Sequence, residues 1–185
     1  MLKVAEIERL PATMTREITS PAQGLVLIDC QCARNAENEE PLPVPLHWRI
    51  GDWSKPPIDI ALDEDTGHFQ SLLLVLQDEI IKRRALPDVD LASPTSELGI
   101  PIFARTPWNN DELYVDEHLQ PTLSWEEQSS LLVVFASPPI QITRTCLVDD
   151  SFAFLLNEQD EIIGFQLNQI TPEERRMMRW ASPLG

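Results

Sequence analysis

Basic side chains, glycine and cysteine are all scarce in this sequence. Its 185 residues include 14 lysines and arginines against 30 aspartates and glutamates, which gives a formal net charge of −16. A field of that sign repels phosphate groups, so it argues against binding to nucleic acid and to anionic membrane surfaces. It favours a basic protein as partner. Solubility alone is the plainer explanation of the same charge.

The shortage of cysteine and of long apolar runs bears on location. Three cysteines are too few, and uneven in number, for a disulfide framework, which favours a reducing cytoplasm. Residues 1–8 lack the apolar core of a secretory signal. No apolar run approaches the roughly 20 residues that a membrane-spanning helix needs. We therefore expect a cytoplasmic protein without membrane contact.

The motifs by which enzymes commonly hold a nucleophile, a phosphate or a metal are also missing. There is no Gly-x-Ser-x-Gly, no glycine-rich phosphate loop and no His-Glu-x-x-His. Cys30, Cys32 and Cys146 with three isolated histidines do not have the spacing of zinc ligands. The acid pair Asp149-Asp150 is more typical of a solvated surface than of a general acid and base. We therefore expect no enzyme, no cofactor and no metal ion.

What the sequence does contain is one pattern twice: a strand, an acidic turn and a second strand. The first copy covers residues 58–76 and the second residues 152–167. Apolar residues alternate at Ile58, Ile60 and Leu62 in the first copy, the period of a strand with one buried face. Laying one copy on the other aligns Ile60 with Phe154, which leaves internal duplication open. The return strand at residues 72–76 is apolar throughout, so we expect both of its faces to be covered.

Further strands and two helices complete the predicted fold. Strands are predicted at residues 24–30, 46–50, 100–104, 112–115 and 131–135. A short helix is predicted at 77–86, and a second begins at the capping box Thr171-Pro172-Glu173-Glu174. Residues 87–98, rich in proline and serine, are the best linker. We therefore predict an α+β protein of mainly antiparallel β meanders in two lobes, 1–88 and 89–185, with a C-terminal helix. One continuous domain fits the same pattern.

Two resemblances to bacterial proteins follow from these segments. Leu131-Leu132-Val133-Val134-Phe135 with Ile162-Ile163-Gly164-Phe165-Gln166-Leu167 is similar to a family of short uncharacterised β-meander proteins with a hydrophobic-Gly-hydrophobic-Glu last strand. Gln166 stands where that family has the acid. The first half, from Trp48-Arg49-Ile50-Gly51-Asp52-Trp53 through the 63–67 turn, resembles segments of bacterial toxin-immunity proteins. Both resemblances imply a small β-rich binding protein and bring no catalytic residues.

Tryptophans beside acidic residues are the candidates for partner contact. An aromatic anchor with a charged rim is typical of a binding hot spot, although we expect at least three of the five tryptophans to be core residues. The acidic turn at 63–65 lacks the ligand pattern of a calcium loop. The predicted partner-binding set is Trp48, Asp52, Trp53, Asp63, Glu64, Asp65, Trp108 and Asp111.

The function that these observations predict is non-catalytic. We expect an acidic immunity or inhibitor protein that binds and occludes a basic toxin enzyme after electrostatic steering. The alternative is a structural or regulatory accessory protein of a bacterial complex, which would dock through an apolar surface insensitive to salt. An unrecognised hydrolase that uses clustered carboxylates is the third hypothesis.

Overall fold

Strands form nearly all the regular structure of this protein. The computed structural model describes residues 1–34, 44–77, 89–90, 94–108, 112–126, 129–135 and 140–181. The strands in those residues are β1 (Val4–Glu8), β2 (Ala12–Ala22), β3 (Leu25–Arg34), β4 (Leu46–Ile50), β5 (Ile58–Leu62), β6 (Phe69–Gln77), β7 (Val89–Asp90), β8 (Thr95–Leu98), β9 (Ile100–Phe103), β10 (Tyr114–Glu117), β11 (Thr122–Glu126), β12 (Ser130–Val134), β13 (Ile140–Gln141), β14 (Arg144–Asp149), β15 (Phe152–Leu156) and β16 (Ile162–Leu167).

The predicted α+β class is wrong, because the protein is essentially all-β. Strands make up 61% of the structure and helix 6%. The one helix in the described ranges is α1 (Pro172–Trp180), which begins at the expected capping box. Nine residues are too few to form a helical layer against a sheet, so α1 only closes one side of the molecule. The helix expected at 77–86 lies outside the described residues apart from Gln77, which ends β6.

Two six-stranded sheets build the fold. The first sheet has the order β10-β4-β5-β6-β3-β2, and the second has the order β8-β14-β15-β16-β12-β11. Neighbouring strands run antiparallel, except that β10 is parallel to β4 and β8 is parallel to β14. The pairs β1-β9 and β7-β13 form two small additional sheets. The predicted linker at 87–98 therefore includes two short strands, β7 in a small sheet and β8 at the edge of the second six-stranded sheet.

The two sheets follow one plan. When the five antiparallel strands of each sheet are numbered along the chain, their order across the sheet is third, fourth, fifth, second, first in both. In both sheets a parallel strand also pairs with the outer side of the third strand. Each central hairpin also carries a β-bulge at the same place. In the first, Ala61 pairs with Ser71 and the register then shifts, and in the second Leu155 pairs with Gly164 before the same shift. A shared strand order, edge strand and bulge are the features that an internal duplication produces.

The inner faces of the two sheets enclose one apolar core. Buried side chains from both sheets belong to a single cluster. Aromatic rings pack against each other across the interface. The ring centroids of Trp48 and Phe135 are 5.6 Å apart, and the centroid of Phe69 lies 5.6 Å from that of Phe152 and 5.0 Å from that of Phe154. Removal of this surface from water is the main force that holds the sheets together. Residues before and after position 88 both contribute side chains to this core. The division into two lobes stays a prediction.

The outer faces of the sheets differ. On the second sheet a further buried cluster covers the outer side, formed by Leu132, Val134, Ile140, Ile142, Leu155 and Ile163. On the first sheet Leu72, Leu74 and Leu76 point inward and are buried, whereas Leu73 is 38% exposed. The expectation that both faces of this return strand are covered is therefore wrong. An apolar run predicts a strand, but whether a second layer covers it depends on distant parts of the chain.

Candidate partner-binding surface

The outer face of the first sheet is a strongly anionic surface. Strand pairing places one side chain from each of its six strands in a line across this face, which we call the outer row: Asp116, Arg49, Asp59, Leu73, Asp29 and Glu17. The row contains four carboxylates and one guanidinium. Side chains directly opposite each other on antiparallel strands lie about 4.5–5.5 Å apart at Cβ, so the members of the row are neighbours. Its apolar member, Leu73, lies between Asp29 and Asp59.

Arg49 organises one end of the outer row. Its Nε and Nη2 donate to the two carboxylate oxygens of Asp116 at 2.7 and 3.0 Å. The same guanidinium lies 4.6 Å from the ring centroid of Tyr114 and 5.2 Å from that of Trp53. The hydrogen bond to Asp116 raises the pKa of Arg49, which therefore stays cationic. A paired, ring-stacked guanidinium holds both aromatic side chains in a defined position.

Trp53 is an exposed indole on a strained backbone. Its side chain is 38% exposed and its φ is +63°, in the left-handed region that residues other than glycine rarely adopt. The preceding Asp52 supports this turn, because its Oδ1 accepts from Ser54 N at 3.0 Å and from Ser54 Oγ at 2.6 Å. Trp53 Nε1 donates to Nδ1 of the exposed His118 at 2.9 Å. Strained residues of this kind concentrate at functional sites.

Tyr114 and His47 extend the aromatic surface along the sheet. The two rings stack with centroids 4.9 Å apart and an angle of 17° between their planes, and Tyr114 is 50% exposed. His47 Nδ1 lies 2.9 Å from Asp59 Oδ1. We call the group His47, Arg49, Trp53, Tyr114 and His118 the Trp53 cluster. Each of its flat groups is in contact with at least one other member, so the cluster is an ordered surface at the edge of the sheet.

A small cavity of about 120 Å³ lies at the β4–β5 connection, which also carries Trp53. The buried side chains of Ile50, Ile58 and Leu74 form its apolar lining, and Asp52 and Gln120 are among its polar lining residues. Hydrogen bonds from Ser54 lower the pKa of Asp52, so this carboxylate is ionised at neutral pH. The cavity is large enough for one apolar side chain and too small for an ordinary cofactor.

The structure separates the predicted site residues. Asp52 and Trp53 belong to the surface just described. Trp48 points inward with 1% exposure, and its Nε1 donates to Glu117 Oε2 at 2.7 Å, so it is a core residue. Trp108 is half-buried and packs against the main core cluster. Asp111 lies outside the described residues.

The predicted acidic turn is a structural turn. Asp63 is buried, and its Oδ1 accepts from Asp65 N at 3.1 Å, Thr66 N at 2.8 Å and Thr66 Oγ1 at 2.7 Å. Glu64 is half-buried, whereas the side chain of Asp65 is exposed. Gly67 closes the turn with φ +75°, where a Cβ would come within 2.5 Å of Phe103 O. Asp63 therefore stabilises the hairpin, and the turn lies apart from the Trp53 cluster.

Sequence reasoning missed most of the Trp53 cluster. The alternation of residues 46–50 could have placed His47 and Arg49 on the outer side, since Trp48 points inward. Tyr114 could not have been found in this way. It reaches the surface because β10 pairs in parallel with β4, and that pairing joins strands more than 60 residues apart in the chain.

The described residues contain no metal cluster, and two of the three thiols are buried. No group of three or more His, Cys, Asp or Glu among them could hold a metal ion. Burial raises the pKa of Cys30 and of Cys146 to about 12, so both remain protonated and act as core residues. No helix in the described part of the chain is long and apolar enough to cross a membrane.

Comparison with known proteins adds no relative. No protein-family model matches this chain, and no curated protein sequence matches it. The function is therefore inferred from the geometry and charge of the surface.

Proposed function

We propose that this protein is a non-catalytic binding protein that captures a basic protein partner on the outer face of its first sheet. Its biological role would be that of an immunity or inhibitor protein, which occludes the active-site cleft of a basic toxin enzyme. The observation that carries the proposal is Trp53, an exposed indole held in a strained, ordered position beside an anionic sheet face.

Pre-organisation of the aromatic groups supports the proposal. The ring of Trp53 is restrained by Arg49 on one side and by His118 on the other, and Arg49 is itself held by Asp116. An aromatic side chain that is already ordered loses little conformational entropy when a partner covers it. Tryptophan, tyrosine and arginine are also the residue types most enriched in binding hot spots.

The distribution of charge supports a basic partner. Arg49 is neutralised by Asp116, which leaves Asp59, Asp29 and Glu17 as the net charge of the outer row. Other arginines form ion pairs away from this face: Arg144 with Glu97 and Asp160, and Arg16 with Glu174. A surface with an exposed leucine between carboxylates complements a partner with an apolar centre and a cationic rim.

The inhibitor role requires no catalytic chemistry. Occlusion needs a stable complementary surface and no activated nucleophile, base or metal. The resemblance of the first half to bacterial toxin-immunity proteins favours this role over that of a general accessory protein. The two roles differ in salt dependence, because the inhibitor relies on complementary charges that are screened at high ionic strength, whereas the accessory protein would dock through an apolar surface.

The decisive experiment measures binding to the basic proteins encoded beside this gene. Each candidate is purified and titrated by calorimetry at about 50 and about 500 mM salt, a range over which the Debye length falls several-fold. We expect affinity to fall with salt, and Trp53→Ala to weaken binding at least tenfold, the loss typical of a hot-spot residue. Co-expression is expected to protect cells from a toxic partner.

A charge-matched pair of variants tests the location of the site. Glu17→Gln with Asp29→Asn removes two charges from the outer row, whereas Glu158→Gln with Glu173→Gln removes two from elsewhere. We expect the first pair to weaken binding several-fold more than the second. Equal effects of the two pairs, with normal binding by Trp53→Ala, would reject this surface. Salt-independent binding without protection of cells would favour the accessory role.

A further inference from the structure

A second groove lies at the equivalent end of the second sheet. The cavity of the first sheet is built by the β4–β5 connection, the end of β6 and the segment that leads into β11. The groove is built by the β14–β15 connection, Gln169 after β16 and the segment that leads into β2, with Leu98 from β8. In the plan that the two sheets share, these are corresponding positions. The internal repeat therefore presents an opening at the same place twice.

The groove has an apolar, exposed rim. Leu98 is 61% exposed and Leu10 is 51% exposed, and both line it. Its volume is about 480 Å³, within the range of roughly 300–1,000 Å³ that is usual for binding clefts. Gln169 in its lining has φ +53°, a second strained residue at an opening of the fold. Two exposed leucines at one cleft are more typical of an interaction site than of a solvated edge.

Two carboxylates line the groove, and they have different roles. Asp149 accepts from Met14 N at 2.7 Å through Oδ2, and from Ser151 N and Oγ at 2.8 and 2.7 Å through Oδ1, so it joins the two walls. The neighbouring Asp150 is exposed and has no hydrogen-bond or ion-pair partner among the described residues. The groove therefore offers leucine side chains and an exposed carboxylate to an incoming ligand.

We infer that this groove is a second docking site, which binds an extended basic segment of a protein partner that carries a leucine-like side chain. The apolar walls accept the leucine, and Asp150 pairs with an adjacent lysine or arginine. A second copy of this chain is a poor occupant, because two molecules of net charge −16 repel each other. The site is separate from the Trp53 cluster and does not depend on the function proposed for it.

The direct test uses a defined peptide. N-acetyl-Lys-Leu-Lys-Leu-Lys-amide is titrated into the full ¹⁵N-labelled chain, and backbone shifts are followed by NMR. We expect saturable shifts at Thr13, Val148 and Ser151, which surround the groove. Peptides with serine in place of leucine, or glutamate in place of lysine, should bind at least fivefold more weakly. Shifts confined to the surroundings of Trp53 would overturn the inference.

Matched variants locate the effect in the groove. Leu10→Ser with Leu98→Ser should weaken peptide binding at least fivefold, whereas Val44→Ser, at another exposed apolar residue, should leave it unchanged. Asp150→Asn should weaken binding more than Glu158→Gln. All are surface positions, and unchanged urea midpoints confirm the fold. Equal binding by the leucine variants and Val44→Ser would overturn the inference. Trp53→Ala should not affect this peptide, so failure here is distinguishable from failure of the proposed function.

Discussion

The two sheets share a strand plan but use their outer faces differently. Every residue of β12 and β15 in the second sheet is buried, because both faces of that sheet are covered. In the first sheet β4 alternates buried and half-buried residues, and β6 exposes Leu73. One copy of the plan thus forms an interior layer, and the other keeps a face open to solvent.

The difference is sharpest at one pair of corresponding positions. In the first sheet Leu73 pairs with Asp29 and Asp59 on the neighbouring strands. The shared bulge makes Gln166 its counterpart in the second sheet, where the neighbours are Leu132 and Ala153. Gln166 Nε2 donates to Ser130 Oγ at 2.8 Å, as a polar group on a covered face must. An exposed leucine between carboxylates has no such packing role, which is why we propose the open face as the binding surface.

The prediction with the largest expected effect concerns the close approach of two strands in the covered second sheet. Gly164→Ala would place a Cβ 2.4 Å from Val133 O and 3.2 Å from Val134 Cα, both backbone atoms that cannot easily move. We expect a loss of about 3 kcal/mol in the free energy of unfolding, measured by urea denaturation. Ser71→Ala, at the corresponding position of the open sheet, should change stability by less than about 0.5 kcal/mol. Similar losses for both variants would contradict the proposed difference.

The second prediction compares the two hairpin turns. Asp63 Oδ1 accepts three hydrogen bonds, whereas Asn157 Oδ1 accepts two, from Gln159 N at 3.0 Å and Glu161 N at 2.9 Å. We expect Asp63→Ala to lower the free energy of unfolding by about 2 kcal/mol and Asn157→Ala by about 1 kcal/mol, since bonds to a charged acceptor are stronger. Thermal denaturation monitored by circular dichroism measures both. Asp63→Asn places at this position the residue type that the second turn has, and it should retain most of the stability that Asp63→Ala loses. An equal loss of unfolding free energy in Asp63→Asn and Asp63→Ala would show that the two turns are not stabilised in the same way.

The third prediction concerns the contact that joins α1 to the first sheet. Arg16 on β2 donates to both carboxylate oxygens of Glu174, at 3.0 and 3.2 Å. Burial opposes ionisation of Glu174, but the bonds from Arg16 and Thr171 outweigh it and lower its pKa. Because the folded-state pKa lies below the unfolded value, this stabilisation is complete above the unfolded pKa and is lost as pH falls through the folded one.

We therefore expect Glu174→Gln to cost about 1 kcal/mol at pH 7, and the difference from the natural protein to vanish in acid. Urea denaturation at a series of pH values measures it. Glu173→Gln is the control, since that exposed residue forms only a surface pair with Arg176. A Glu174→Gln deficit that persists unchanged in acid would show that the charge of Glu174 is not responsible.

Local patterns in the sequence were sufficient to predict much of the fold. The predicted strands at 46–50 and, from alternation, at 58–62 match the observed bounds of β4 and β5, and the Thr171 capping box predicted the start of α1. These features depend on residues within a few positions of each other. The predicted α+β class was wrong because the short helix α1 does not form a layer of the fold. The predicted partner-binding set stays a prediction, but the structure divides it: Trp48 and Trp53 lie close together in the chain, yet Trp48 is a core residue and Trp53 is exposed.

By itself the sequence determined most inner strands of the two sheets, the two matched hairpins and the excess of negative charge, because each is a property of residue type and short-range order. Only the tertiary structure decided which sheet face is covered and which tryptophan is exposed. Those outcomes depend on parallel pairing between distant strands and on the apolar layer over the second sheet. An outward-facing apolar side chain is therefore buried in the second sheet, as Leu132 is, and exposed in the first, as Leu73 is.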